Sequence, residues 1–163
     1  MLIKIKKKTL LKFKHYNFKC TLGKGGIKKN KKEGDMTTPS GTHKLDKLYY
    51  RADRIKYIKT KLQKKIIKKN MGWSNSTKDK NYNKEIKIIK QSGFEKLYRT
   101  DHKYDALIVV QYNLPNPVPG KGSAIFIHLT KKYKPTAGCV ALNLKDFLTL
   151  AKFCDRKTKI EIF

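Results

Sequence analysis

The sequence predicts a single α+β domain that is rich in β-strands and spans residues 1–163. A length of 163 residues suits one hydrophobic core. Two short runs of apolar, β-branched residues, Ala106–Tyr112 and Ala124–Leu129, are typical of buried strands. One amphipathic helical pattern, Asn143–Cys154, follows both of them. Strands along most of the chain and one main helix near its end predict a β-rich α+β fold.

The first third of the chain predicts a hairpin, a loop and a strand. Apolar and polar residues alternate from Leu11 to Cys20 on both sides of a turn at 15–17, which is the pattern of a β-hairpin. Residues 21–44 are rich in glycine, lysine and threonine, so they predict a loop. A strand is expected at Thr42–Tyr50.

The middle of the chain allows two interpretations. Apolar residues recur at helical spacing among the lysines of Arg54–Asn70, which is the pattern of a basic amphipathic helix. The alternative is a surface segment whose few apolar residues touch the core. Residues 71–85 are polar and turn-forming, apart from Trp73 and Tyr82. The apolar positions in question are Ile55, Ile58, Leu62 and Ile66.

The last third carries the clearest patterns. Asn113–Ser123 is rich in proline and glycine and predicts a loop between the two buried strands. Asn143 is a suitable N-cap for the helix that follows it. Lys159–Phe163 is expected to close the fold as an edge strand. The apolar face of the helix consists of Leu144, Phe147, Leu148, Ala151 and Cys154.

The charge of the chain is strongly positive, but its composition does not favour sequence-specific nucleic-acid binding. Forty basic and twelve acidic residues give a net charge of +28, and only four of the basic residues are arginine. Proteins that read bases rely on the planar fork of arginine. Lysine, isoleucine and asparagine are abundant together, as in A/T-rich genomes. We expect mostly solvated lysines, including Lys28, Lys29, Lys31 and Lys32, with salt-sensitive attraction to polyanions such as anionic cell-wall polymers.

Several classes of protein are excluded by simple patterns. No run approaches the roughly 18 apolar residues that span a bilayer, so a transmembrane segment is not expected. The basic stretch Met1–Lys8 is not followed by the apolar region of a secretion signal. Cys20, Cys139 and Cys154 are too few and too far apart for a disulfide framework or a CxxC metal site. The sequence implies no metal and no cofactor.

One pair of residues has the types and setting that nucleophilic catalysis requires. His128 ends a predicted buried strand, and Cys139 follows Gly138 before an apolar step into the helix. A cysteine nucleophile needs a base to take its proton, and a neighbouring glycine lets a substrate approach the backbone. The alternative is a small buried cysteine beside a structural histidine. An activated Cys139 is expected to react with alkylating agents below pH 8, before Cys20 and Cys154 do.

The segment from His128 to Leu142 resembles the motif of the L,D-transpeptidase catalytic domain (YkuD-type). The resemblance is closest to short, single-domain members with a Pro-Thr-x-Gly-Cys-Val-Ala-Leu turn, which stands here at Pro135–Leu142. It covers essentially the whole chain, with the motifs in the family's order. The other matching segments are Leu22–Gly26, Lys32–Gly34, Thr38–Thr42, Tyr50–Arg54, Gly72-Trp73, Tyr82-Asn83, Asp101-His102, Tyr104-Asp105 and Pro119–Ser123.

The resemblance implies a β-sandwich with the main helix after the cysteine turn, and acyl transfer on peptidoglycan stem peptides through a thioester. Cys139 would be the nucleophile and His128 the proton acceptor and donor. The N–H groups of Gly138 and Cys139 would form part of the oxyanion hole, and Thr136 would shape the turn or bind substrate. The resemblance also implies a place in the cell envelope or periplasm, and we expect a monomer. Since no secretion signal is visible, a cytoplasmic role in recycling stem peptides is the alternative.

Two departures from the family pattern leave the acyl acceptor open. Ala137 stands where many members have histidine, and the loop between His128 and Cys139 is short. The acceptor could be an amine for crosslinking, water in an L,D-carboxypeptidase, or another amine. The competing function classes are a lysine-rich polyanion-binding module with an inert Cys139, and a catalytically silent relative that binds the cell wall.

Overall fold

The structure is a computed structural model that describes residues 1–6, 9–89 and 92–163. The last two residues of the basic stretch Met1–Lys8 lie outside the described residues. Across these ranges no helix is long and apolar enough to cross a membrane. The elements are β1 (Leu2–Ile5), β2 (Leu10–Phe13), β3 (Tyr16–Lys19), β4 (Ile27–Lys28), β5 (Thr38–Pro39), β6 (Gly41–Tyr50), β7 (Lys64–Ile66), β8 (Met71–Ser74), β9 (Glu85–Lys87), β10 (Phe94–Lys96), a 3-10 turn (His102–Tyr104), β11 (Ala106–Val110), β12 (Phe126–Leu129), β13 (Val140–Leu142), α1 (Leu144–Phe153) and β14 (Lys159–Ile162).

The main sheet is mixed and nearly closed. Its strand order is β13-β12-β11-β6-β14-β1-β2-β3, with β7 paired to β6. Just after β3, Thr21 forms a bridge to Ala141 in β13, with N–H···O distances of 3.0 and 2.9 Å in the two directions. This bridge joins the two ends of the strand order.

The strands and the single α-helix of the described residues confirm the β-rich α+β class. The two-layer sandwich is not confirmed.

Apolar side chains pack on both faces of the central strands. The larger core lies on one face and includes Ile127 in β12 and Val140 in β13. The helix α1 covers this core with Phe147, Leu150 and Ala151. On the opposite face, alternate residues of β11 and β12 pack against Trp73 of β8. Strand β11 is buried on both faces as a result.

The hairpin at β2–β3, the long strand β6, the buried strands β11 and β12, and the helix α1 confirm the sequence predictions. The Asn143 side chain caps α1 by accepting a hydrogen bond from the Asp146 N–H at 2.9 Å. This agreement is expected, because capping and alternation are local signals.

Three sequence predictions are wrong or incomplete. Arg54–Asn70 contains no helix, so the interpretation as an amphipathic helix is wrong, and β7 pairs with β6. Ile58 and Leu62 are buried against the larger core, which agrees with the alternative of a surface segment whose few apolar residues touch the core. The strand β8 was missed because its residues lie in a polar, turn-rich stretch. Strand β14 is not an edge strand, because it lies between β1, in parallel, and β6, antiparallel.

Candidate active site

The four predicted site residues line one cavity of about 1330 Å³. Residues 123–125 and 128–139, around β12 and before β13, contribute many of its lining residues, and its walls include Lys31 and Tyr104. No group of three His, Cys, Asp or Glu side chains in the described ranges is arranged to hold a metal ion. The members of the predicted site in this cavity are His128, Thr136, Gly138 and Cys139.

Strand pairing brings Cys139 and His128 to the same face of the sheet. Strands β12 and β13 are parallel, with His128 opposite Ala141. Cys139 is two residues before Ala141, and side chains two residues apart share a face. The register therefore places the thiol and the imidazole on one face of the sheet, where both line the same cavity.

The Cys139 thiol is protonated in the resting structure. Its Sγ donates to the Ala124 carbonyl at 3.2 Å and accepts from the Phe126 N–H at 3.3 Å. Burial, with a further contribution from the negative charge of Glu95, raises the pKa of Cys139 to about 12, against the lowering effects of the Phe126 N–H and Lys31. This differs from the expected activated thiol. The cysteine needs an adjacent base to become a nucleophile.

His128 is a neutral base in the same cavity. Its Nδ1 lies 2.9 Å from the Leu129 carbonyl oxygen, which can only accept, so Nδ1 carries the proton and Nε2 has a free lone pair. Burial lowers the pKa of His128 to about 4. Its ring packs against that of Tyr104, with centroids 5.3 Å apart. At neutral pH the imidazole can therefore accept a proton.

The turn before Cys139 is stiffened by Thr136. Its Oγ1 donates to the Cys139 carbonyl at 2.7 Å and accepts from the Gly138 N–H at 3.1 Å. Gly138 has φ +144°, and a Cβ there would lie 2.7 Å from the Thr37 carbonyl oxygen. Only glycine adopts this positive φ without strain and leaves room for the Thr37 carbonyl oxygen.

The N-terminal glycine-rich loop supports this turn from outside. Thr136 N–H donates to Leu22 O and Lys24 N–H donates to Thr136 O, each at 2.9 Å. Gly23 passes so close to its neighbours that a Cβ would lie 2.4 Å from the Met36 carbonyl oxygen. The segment, which the sequence predicted as a loop, is therefore a scaffold for the cysteine turn.

Sequence reasoning missed a second group of residues around the site. The Tyr104 hydroxyl donates to the Glu95 carboxylate, and burial raises the pKa of both groups. Asn83 is buried, and its Oδ1 accepts from Trp73 Nε1 (2.9 Å) and from the N–H of Ala124 (3.0 Å), the residue whose carbonyl holds the thiol. Only the family motifs containing Tyr104 and Asn83 pointed to these positions.

The chain matches the family model of the L,D-transpeptidase catalytic domain (YkuD) over residues 2–162. Searches of curated proteins and of solved structures found no match. The match covers essentially the whole chain and includes the cavity, the strand-end His128 and the turn that presents Cys139. The chain therefore belongs to the L,D-transpeptidase catalytic domain family.

Proposed function

We propose that this protein is a cysteine-dependent acyltransferase that performs L,D-transpeptidation on peptidoglycan stem peptides. The observation that supports the proposal is that a cysteine thiol, Cys139, and a neutral imidazole, His128, lie on one face of adjacent strands and line one cavity. A neutral thiol–imidazole pair can react without a resting thiolate, because the proton moves as the nucleophile attacks.

The reaction has two balanced halves. Cys139 Sγ bonds to the carbonyl carbon of an L-centre joined to a D-residue, and its proton passes to His128 Nε2. The C–N bond then breaks, and His128 returns the proton to the departing amine. In the second half an amine acceptor attacks the thioester, giving its proton to His128, and the thiol re-forms.

Turning the thiol from the Ala124 carbonyl toward His128 is the motion that starts the first half. Developing negative charge on the carbonyl oxygen would be met by the Cys139 N–H. The Gly138 N–H is the proposed second donor. It donates to Thr136 Oγ1 at rest, so its hydrogen bond would be shared between that oxygen and the oxyanion. Thr136 acts mainly by holding the turn, since both hydrogen bonds of its hydroxyl lie within it.

The size of the cavity supports a peptide substrate. At about 1330 Å³ it exceeds the 300–1,000 Å³ typical of small-ligand sites, so it has room for an acyl donor and an acceptor. An L,D-carboxypeptidase would use the same acyl-enzyme with water as the acceptor. Because the proposed substrate is peptidoglycan, we place the protein in the cell envelope. It would act as a monomer without a cofactor.

The test is a comparison of single cysteine variants on a tetrapeptide stem. Cys139→Ala should abolish the thioester mass adduct and the release of the terminal D-residue, while the fold persists at a cost of about 1–2 kcal/mol. Cys20→Ala and Cys154→Ala are matched controls, because both thiols are buried away from the cavity. They should retain both signals.

If all three variants behave alike, acyl transfer is the wrong assignment. The lysine-rich polyanion-binding module then becomes the leading account, because its salt-dependent binding does not need the thiol. Product analysis of the active protein with and without an added amine separates transpeptidation from hydrolysis.

A further inference from the structure

Lys31 differs from the other lysines of the described chain, because it alone is buried. Its side chain is only 3% exposed, which corrects the expectation that it is solvated. Lys28, Lys29 and Lys32 of the same loop are exposed, as expected. Burying an ammonium group is costly unless it is paired and hydrogen-bonded. The position therefore calls for a role that a surface lysine does not have.

The aliphatic part of Lys31 runs through a channel that glycine makes possible. A Cβ on Gly122 would lie 2.8 Å from Cε and 3.1 Å from Cδ of Lys31. The Gly122 N–H donates to the Tyr82 hydroxyl at 3.0 Å, and that hydroxyl is itself bonded to Glu33. These hydrogen bonds fix the Gly122 backbone, against which the aliphatic part of Lys31 packs.

Asp35 forms a salt bridge with Lys31 and does not line the cavity. The Nζ–Oδ1 distance is 2.8 Å, and the same carboxylate accepts from the Lys32 N–H and from both the N–H and the hydroxyl of Thr37. Burial alone would raise the pKa of Asp35, but these four hydrogen bonds hold it far below its ordinary value. Because the negative charge of Asp35 is shared among four hydrogen-bond donors, it neutralises the positive charge of Lys31 only in part.

The Lys31 ammonium lies at the cavity wall beside the cysteine turn. Lys31 lines the cavity whereas Asp35 does not, and Nζ lies 3.4 Å from a Cβ built on Gly138. An ammonium has three N–H donors. Within the described residues, Nζ has two acceptors, Asp35 Oδ1 at 2.8 Å and the Lys32 carbonyl oxygen at 3.4 Å. One donor is left for a ligand beside the cysteine turn.

We propose that Lys31 binds the C-terminal carboxylate of the acyl donor, on the residue that leaves as Cys139 attacks. This inference rests on the proposed function. The terminal carboxylate lies one residue beyond the scissile bond, about 3.8 Å of backbone, so a cation next to the nucleophile's turn is within its reach. A preorganised ammonium and a carboxylate form a charge-assisted hydrogen bond. Lys31 thereby selects donors that end in a free carboxylate at this position.

The test uses two tetrapeptide stems that differ only in a free or an amidated C-terminus. For the wild-type protein we expect kcat/KM to be about 10- to 100-fold higher for the free acid, the range that a hydrogen bond to a charged group supplies. In Lys31→Met the acid-to-amide ratio of kcat/KM should fall to about one, whatever change in rate both substrates share through the effect of Lys31 on the Cys139 thiol. Lys32→Met removes the same charge from an exposed neighbour and should keep the preference.

The ratio between the two substrates cancels any difference in leaving-group chemistry when wild type and variant are compared. An equal, nonzero turnover of acid and amide by the wild type overturns the carboxylate role alone, whether or not Lys31→Met folds. A loss in Lys31→Met that is the same for both substrates also overturns it, because Lys31 would then act on the thiol, the oxyanion or the fold. Turnover of neither stem by the wild type overturns the proposed function as well.

Discussion

Removing the His128 imidazole should change how stability depends on pH. Burial lowers the pKa of this group from 6.5 to about 4. Between those values the unfolded chain binds a proton that the folded protein does not, so stability falls as pH drops through this window and levels off below it. Above pH 7 the group contributes no pH dependence. The 2.5-unit difference corresponds to about 3 kcal/mol in the free energy of unfolding.

The assay is urea unfolding of the wild type and of His128→Gln at pH 7 and pH 4. Fluorescence of Trp73, the single tryptophan, reports the transition from a position packed on Phe126. The stability difference between the two proteins should shift by about 3 kcal/mol in favour of the variant at pH 4. Nearby charged groups, Arg99, Asp101 and Lys103, are present in both proteins, so their effects largely cancel.

His43→Gln is the control. Burial lowers the pKa of His43 as well, but this variant retains His128 and should keep the larger part of the acid loss. Parallel loss of stability in wild type and His128→Gln would refute the reasoning. It would mean that the imidazole is not held neutral by burial, and the base would then be lost to protonation near pH 6.5 rather than near 4.

Two further predictions concern the surroundings of the thiol. Asn83→Ala should lower the free energy of unfolding by about 2–6 kcal/mol, because four hydrogen bonds worth about 0.5–1.5 kcal/mol each lose a partner; a loss below 1 kcal/mol in urea unfolding would contradict it. Native protein at pH 7 should resist iodoacetamide at all three cysteines, since burial raises the pKa of Cys20, Cys139 and Cys154 to about 12, whereas urea should expose all three to labelling. Rapid single labelling at Cys139, detected by mass spectrometry, would show a thiolate at rest.

The parts of the fold that the sequence predicted depend on neighbours along the chain. The α1 helix carries its own cap in Asn143 and its own apolar face. The hairpin β2–β3 has alternation on both sides of a turn. The candidate nucleophile and base could also be selected early, because a glycine–cysteine turn and a strand-end histidine are short motifs, and the family motifs pointed to the same residues.

Tertiary structure decided what depends on pairing between distant segments. Whether Lys159–Ile162 lies at an edge or inside the sheet depends on β1, more than 150 residues away. The helical spacing of Ile58 and Leu62 was misleading, because both residues are buried against the larger core without forming a helix.

Tertiary structure also set the chemical state of the site. Nothing in the pattern around Cys139 or His128 indicates that their pKa values are shifted to about 12 and about 4, because those shifts arise from burial under other segments. Lys31 looks like its exposed neighbours in sequence, and only the approach of Gly122, Asp35 and Gly138 makes it a buried cation at the cavity wall. The sequence alone determined which groups can react; folding determined their protonation and their neighbours, because burial and charge act through space rather than along the chain.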